Sequence, residues 1–167
     1  MDDYNYFMEK AIEEARKALE SGEFPVGCVV AYKNNIIVTG TRTGTSGNYT
    51  NEIDHAEMAA LRRLSELKEN MDKSKIILFC TLEPCLMCYS AIVLSGIGKI
   101  VYAYEDVMGG CTRCDLTKLS PFYKERKIKI IPDILRDKSM ELFKVYFENQ
   151  KNTYWKDSLL AGYTLRQ

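Results

Sequence analysis

Five short apolar runs, set among amphipathic stretches, constrain the fold of this chain more than any other feature. They are FPVGCVVAY (24–32), IIVTG (36–40), KIILFC (75–80), KIVYAY (99–104) and KIKII (127–131). Their length and β-branched content read as strands. The first two, joined at Asn34-Asn35, read as a hairpin. Residues 2–20 place Phe7, Met8, Ala11, Ile12, Ala15, Ala18 and Leu19 at three- and four-residue steps. That spacing predicts a helix, capped by Asp2 or Asp3 and stopped at Ser21-Gly22. A second helix is predicted from Asp54 or His55 through Leu67, with Met58, Leu61 and Leu64 inward. A third starts at PCLMC (84–88), with Pro84 as its first position, and ends near Gly96. A fourth spans 137 to about 151. Residues 41–53 are a loop by composition, and a last aromatic helix or coil holds Tyr154 and Trp155. Strands alternating with helices over short links predict a helix-covered sheet with parallel pairs, α/β or α+β. No internal repeat or linker divides the 167 residues, so the chain reads as a single domain over 1–167. It is long enough for a full hydrophobic core.

Charge and cysteine usage narrow the function classes. Lys plus Arg and Asp plus Glu both number 23, so no global field draws in a polyanion, although a local basic patch is compatible with that total. The opening MDDYNYFMEK has neither a basic nor an apolar leader segment. No run approaches the roughly 18 apolar residues of a membrane span. The expectation is a cytoplasmic protein with no membrane partner. Six cysteines, four of them in two CxxC spacings, suit metal or redox use in a reducing compartment better than a disulfide scaffold.

His55 is the only histidine. Taken alone, a histidine at a helix start is ordinarily a core residue. Here Glu57 follows within the same turn, and Cys85 and Cys88 lie one turn apart at the start of the next helix. Unpaired N–H groups and the helix dipole favour thiolates at such a terminus. Two thiolates and one imidazole leave zinc an open fourth position, the mark of a catalytic rather than a structural site. Water activated there needs a proton shuttle, and Glu57, beside the metal but not bound to it, is the candidate. H-x-E followed by P-C-x-x-C is the general signature of zinc deaminases. A rival reading joins Cys85 and Cys88 to Cys111 and Cys114 as C-x2-C-x22-C-x2-C, a closed four-cysteine zinc module without enzymatic activity. That reading leaves His55 and Glu57 accidental, and it needs a knuckle where LMCYSAIVLSG (86–96) reads as helix. Otherwise Cys111 and Cys114 are core or loop thiols, a redox pair or a minor metal site, and Cys28 and Cys80 are packing residues inside strands.

EFPVGCVV (23–30), DHAEMAALRRL (54–64), TLEPCLMCYSAIV (81–93) and GKIVYAY (98–104) resemble, in order, the core blocks of the cytidine deaminase superfamily. Within it they are most similar to the branch of tRNA adenosine deaminases and guanine/cytosine deaminases. The resemblance covers roughly residues 5–110. It implies an α/β/α three-layer sandwich around a five-stranded mixed sheet whose last two strands are parallel. It further implies Zn2+ held by His55, Cys85 and Cys88, Glu57 as the catalytic shuttle, and a homodimer. Pro25, Val26 and Gly27 would line the base pocket with backbone groups, with Glu83 and Pro84 beside the zinc.

The chain departs from that branch at two places. Members usually carry a ring-binding asparagine just after the second strand, where VTGTRTG offers Arg42 or Thr43 as the substrate contact. A basic C-terminal tail is also absent, the chain ending LLAGYTLRQ. The only dense basic run, KERKIK (124–129), reads either as a phosphate contact or as a solvated strand face. Tyr146, Phe147, Tyr154 and Trp155 suit stacking on bases or helical packing. The expected activity is hydrolytic removal of an exocyclic amine from a nucleobase. The resemblance of the motif blocks puts a tRNA wobble adenosine first as substrate, with a free base, nucleoside or nucleotide as the alternative.

Overall fold

The computed structural model, which describes residues 3–47 and 50–167, pairs the apolar runs into one sheet. Its strands are β1 (Gly27–Tyr32), β2 (Asn35–Thr41), β3 (Ile77–Leu82), β4 (Lys99–Tyr104) and β5 (Lys129–Ile131), in the order β2-β1-β3-β4-β5. β1 is antiparallel to β2 and β3, whereas β3–β4 and β4–β5 are parallel. The helices are α1 (Tyr4–Glu20), α2 (Ala56–Glu66), α3 (Leu86–Leu94), the single turn α4 (Pro121–Lys124), α5 (Arg136–Glu148) and α6 (Leu159–Thr164). The fold is the expected α/β architecture with a five-stranded mixed sheet.

Strand alternation sorts the side chains into two layers. Val29, Ala31, Phe79, Val101 and Ala103 face Phe7, Met8, Ala11 and Ile12 of α1. Cys28, Val30, Leu78, Cys80, Ile100 and Tyr102 belong to the second cluster, with Ala60 and Leu61 of α2 and Tyr89, Ile92 and Val93 of α3. Both faces are therefore covered, which is why these strands read as continuous apolar runs rather than alternating ones.

Local differences from the sequence reading have identifiable causes. Asp3 caps α1, its carboxylate accepting from the Tyr6 N–H at 3.1 Å; Asp2 lies outside the described residues. The hairpin turns at Lys33-Asn34, both with positive φ (49° and 63°), while Asn35 already pairs with Tyr32. The register jumps from Val30↔Val38 to Ala31↔Ile36, and this one-residue bulge moves the turn one place earlier than Asn34-Asn35. Pro84 precedes α3 rather than opening it, because Cys85 is the extended N-cap (ψ 172°). α6 was not legible as a helix, since LLAGYT is shorter than two turns of periodicity.

The last third of the chain closes over the carboxyl ends of β3 and β4. Ser139 Oγ donates to the Thr81 carbonyl at 2.6 Å, and Tyr104 and Thr164 share a buried hydrogen bond of 2.9 Å. Phe24, just before β1, lies edge-on to Phe143, Tyr146, Phe147, Tyr154 and Trp155. A cavity opens under this aromatic cover.

Candidate metal centre and active site

The topology brings two helix starts together past the carboxyl end of β3. His55 is the N-cap of α2 and Cys85 the N-cap of α3, with Cys88 in the first turn of α3. His55 Nδ1 lies 3.6 Å from Cys85 Sγ and 3.5 Å from Cys88 Sγ. All three ligand atoms fall within 4.8 Å of one another. Tetrahedral zinc, with Zn–S near ~2.3 Å and Zn–N near ~2.05 Å, requires S···N edges of about 3.6 Å. The observed separations match that edge, so the donor set fits zinc in both chemistry and size. Among the described residues this is the one group of His, Cys, Asp and Glu side chains so placed. Cys111 and Cys114 do not join it; their sulfurs lie against each other. The four-cysteine module is thus not formed.

The three side chains of the cluster lie close enough to shift one another's protonation. A hydrogen bond from Cys88 and a second from His55 push Cys85 down to about 4, against its burial. Pairing with Cys85, and then burial, raise Cys88. Burial lowers His55, but its hydrogen bond to Cys85 and the charge of Glu57 outweigh that and raise it. Glu57, in the first turn of α2, is 3% exposed, and burial raises its carboxyl above the ordinary carboxylate range. Its Oε2 has no hydrogen-bond partner. A carboxylate oxygen left unpaired inside a protein costs about 1–3 kcal/mol or more, so Glu57 is a candidate for a functional rather than a packing role.

Val26, Arg42 and Glu83 line the same cavity as His55, Glu57 and Cys85. Arg42 is 2% exposed. Its Nη1 donates to the carbonyls of Thr43 (2.7 Å) and Asp54 (2.9 Å), so the guanidinium braces the residue preceding His55. Its Nη2 has no hydrogen bond, the nearest carboxylate being Glu52 at 3.8 Å. Thr43 contributes its carbonyl to Arg42. Glu83 accepts from Thr112 N (3.2 Å), Thr112 Oγ1 (2.5 Å) and Asp106 N (3.3 Å), clamping the loop after β4 against the metal site. The Pro84 carbonyl takes the Cys111 N–H.

The residues before and within β1 are occupied by the fold. The Gly27 N–H donates to Thr81 Oγ1 at 3.0 Å, and a Cβ there would overlap the Ala11 carbonyl, so Gly27 lets α1 approach the sheet. Val26 donates its N–H to Phe24 and accepts from Arg42 N, leaving its side chain to the cavity. Pro25 is buried between Phe24 and Val26.

Sequence reasoning missed three cavity residues: Phe24, Leu82 and Asp106. Asp106 follows β4 as Leu82 ends β3, and a polar residue just past a parallel strand's carboxyl end is the available signal. Tyr154 and Trp155 complete the wall, stacked at 5.0 Å, with Tyr154 OH donating to Glu52 at 2.7 Å. The cavity is partly open to solvent and offers about 30 Å³ to water-sized groups. The basic run 124–129 does not line this cavity. Lys129 opens β5 opposite Lys99, at the amino ends of strands whose carboxyl ends reach the site.

Comparisons with known proteins agree with this geometry. Residues 1–104 match the family model described as the cytidine and deoxycytidylate deaminase zinc-binding region. A tRNA-specific adenosine deaminase of Buchnera aphidicola subsp. Schizaphis graminum is 32% identical over 156 residues, 88% of this chain and 95% of that protein. The tRNA-specific adenosine deaminase of Bacillus subtilis is 29% identical over 141 residues, covering 84% and 86%. A structure from work on A-to-I editing by tRNA:A34 deaminases at the wobble position superposes with TM-score 0.61 at 27% identity, covering 82% of this chain and 98% of that one. Guanine deaminase from Nitrosomonas europaea shares the fold, with TM-score 0.63 at 20% identity over 87% and 85% of the two chains. With its donor set sized for zinc, the chain belongs to the cytidine and deoxycytidylate deaminase family of zinc-binding hydrolytic enzymes.

Proposed function

We propose that this protein removes the exocyclic amine of adenosine at the wobble position of tRNA. The observation that carries the chemistry is the buried, unpaired carboxylate oxygen of Glu57 beside the His55–Cys85–Cys88 set. Relatives named tRNA-specific adenosine deaminase support the substrate. His55, Cys85 and Cys88 would hold zinc, which when bound would supply the Lewis acidity that activates water near neutral pH. Glu57 would take one proton from the attacking water and deliver it to the neighbouring ring nitrogen, then take the second proton from the resulting hydroxyl and pass it to the amine, which leaves as ammonia. Burial favours the protonated form of its carboxyl, which suits a group that must both accept and release. Arg42 carries only donors, so the substrate edge facing Nη2 presents an acceptor, where an asparagine would offer both donor and acceptor. Val26 and Glu83 would border the base, with Tyr154 and Trp155 as part of the same wall. Pro25, Gly27, Thr43 and Pro84 act behind this layer, holding it in place. Leu86 and Leu94 of α3, 61% and 59% exposed, support burial of that helix against a second copy in a cytoplasmic homodimer.

A second reading, a free base, nucleoside or nucleotide as substrate, is favoured by the zero net charge and by the basic run standing away from the cavity. Incubating the zinc-loaded protein with a tRNA whose wobble base is adenosine, and in parallel with free bases, nucleosides and nucleotides, separates the two. Inosine at the wobble position is the expected result. Ammonia released only from the small molecules would overturn the tRNA substrate while leaving the chemistry intact.

A further inference from the structure

Cys111 and Cys114 stand apart from the metal ligands and from the fully buried Cys28 and Cys80. Their sulfurs are 2.8 Å apart, and Cys114 is exposed. The Cys114 N–H donates to the Cys111 carbonyl at 3.1 Å, so Cys111-Thr112-Arg113-Cys114 is a tight turn. Such a turn holds its end Cα atoms within ~7 Å, at the span a disulfide bridges. Cys114 borders an open groove with Arg126, Lys127 and Lys129, where Asp115 is the one acid among the lining residues. Exposed, electropositive surroundings draw anionic reagents to the thiol. Burial and the neighbouring sulfur push Cys111 up to about 11, which leaves Cys114 as the first nucleophile.

We propose that Cys111 and Cys114 form a reversible dithiol–disulfide site, oxidised by small anionic disulfides of the glutathione type. The Cys114 thiolate attacks one sulfur of the reagent, whose S–S bond breaks and releases one thiol. Cys111 then gives up its proton and attacks the Cys114 sulfur, forming Cys111–Cys114 and expelling the second thiol. Two electrons and two protons pass from the protein to the two released thiols. The three-residue spacing favours this closure over a lasting mixed disulfide.

The site adjoins the catalytic wall. Thr112, inside the turn, gives both its N–H and its hydroxyl to Glu83, and Cys111 N bonds to Pro84, next to the ligand Cys85. The new disulfide therefore stiffens the Glu83 clamp without touching the metal thiolates.

The test exposes zinc-loaded protein to oxidised glutathione and follows intact mass, peptide maps, bound zinc and amide hydrogen exchange. The expected product has lost two hydrogens at Cys111–Cys114, keeps its zinc, exchanges more slowly over residues 106–112, and reverts with dithiothreitol. Cys114→Ser abolishes the loss, and Cys111→Ser accumulates glutathione on Cys114. The proposal is overturned if oxidation maps to Cys85 or Cys88 with loss of zinc while the CTRC turn stays reduced. It is equally overturned if Cys114→Ser still loses two hydrogens at the parent rate.

Discussion

Replacing Arg42 with alanine strikes both the fold and the metal site. Two hydrogen bonds from a charged donor, to the carbonyls of Thr43 and Asp54, disappear with the guanidinium. Bonds of this type contribute roughly 1.5–3 kcal/mol each. Against that loss, an N–H group buried without a partner is no longer present, which recovers about 1–3 kcal/mol. Taking the middle of each range, the net destabilisation is about 2.5 kcal/mol. For a chain of this size that is a fall in Tm of roughly 5–10 °C, at ~2–4 °C per kcal/mol. Calorimetry on zinc-loaded protein reads it directly. Because Asp54 immediately precedes His55, the variant should also surrender zinc to a chelator faster than the parent. Arg42→Lys keeps the charge but has no planar fork to span two carbonyls, so it should recover less than half of the lost stability. A Tm within ~2 °C of the parent, together with unchanged zinc retention, would refute the bracing role.

Gly40→Ala should act on the same helix from the sheet side. A Cβ at Gly40 would overlap the Ala56 carbonyl and come within 2.9 Å of Ala60 N, forcing α2 off β2. Backbone overlap of this kind costs about 1–3 kcal/mol, so urea unfolding at parental stability would contradict the packing. The second prediction is pH-dependent. Glu105 accepts from Arg136 at 2.8 and 2.6 Å and from Tyr163 at 2.7 Å. Burial raises its carboxyl, but these partners outweigh it and hold it below the ordinary 4.5. A depressed folded pKa gives stability that is present above the unfolded value and lost as pH falls through the folded one. The Tm gap between the parent and Arg136→Gln should therefore narrow as pH falls through and below the ordinary 4.5, and a gap independent of pH would exclude the linkage.

The sheet was legible because each strand is apolar on both faces, and the ligands because His55, Cys85 and Cys88 each sit at a helix start. Periodicity reaches that far. It does not say that Phe24 turns under Tyr154 and Trp155, since that closure depends on α5 and α6 docking over the strand ends, a purely tertiary event. Trp155 takes a positive φ of 55° there, a conformation that no local propensity favours. Gly27 looked like a pocket residue by resemblance, whereas its close approach to α1 explains the glycine without a ligand. Arg42 was legible as a departure from the family pattern, but its bond to Asp54 needed coordinates. The basic run was the reverse case, prominent in sequence yet not among the residues that line the cavity.

The account rests on Glu57 as a shuttle beside a metal that it does not bind. Bound zinc and inosine formation, measured together on Glu57→Gln, test this most directly. The substitution keeps size and polarity and removes only the titrating proton. The expected protein folds, holds zinc like the parent, and loses turnover by about 10³-fold or more, near the upper end for a general acid–base group serving several proton steps. Turnover within ~10-fold of the parent, with zinc still bound, would contradict the mechanism.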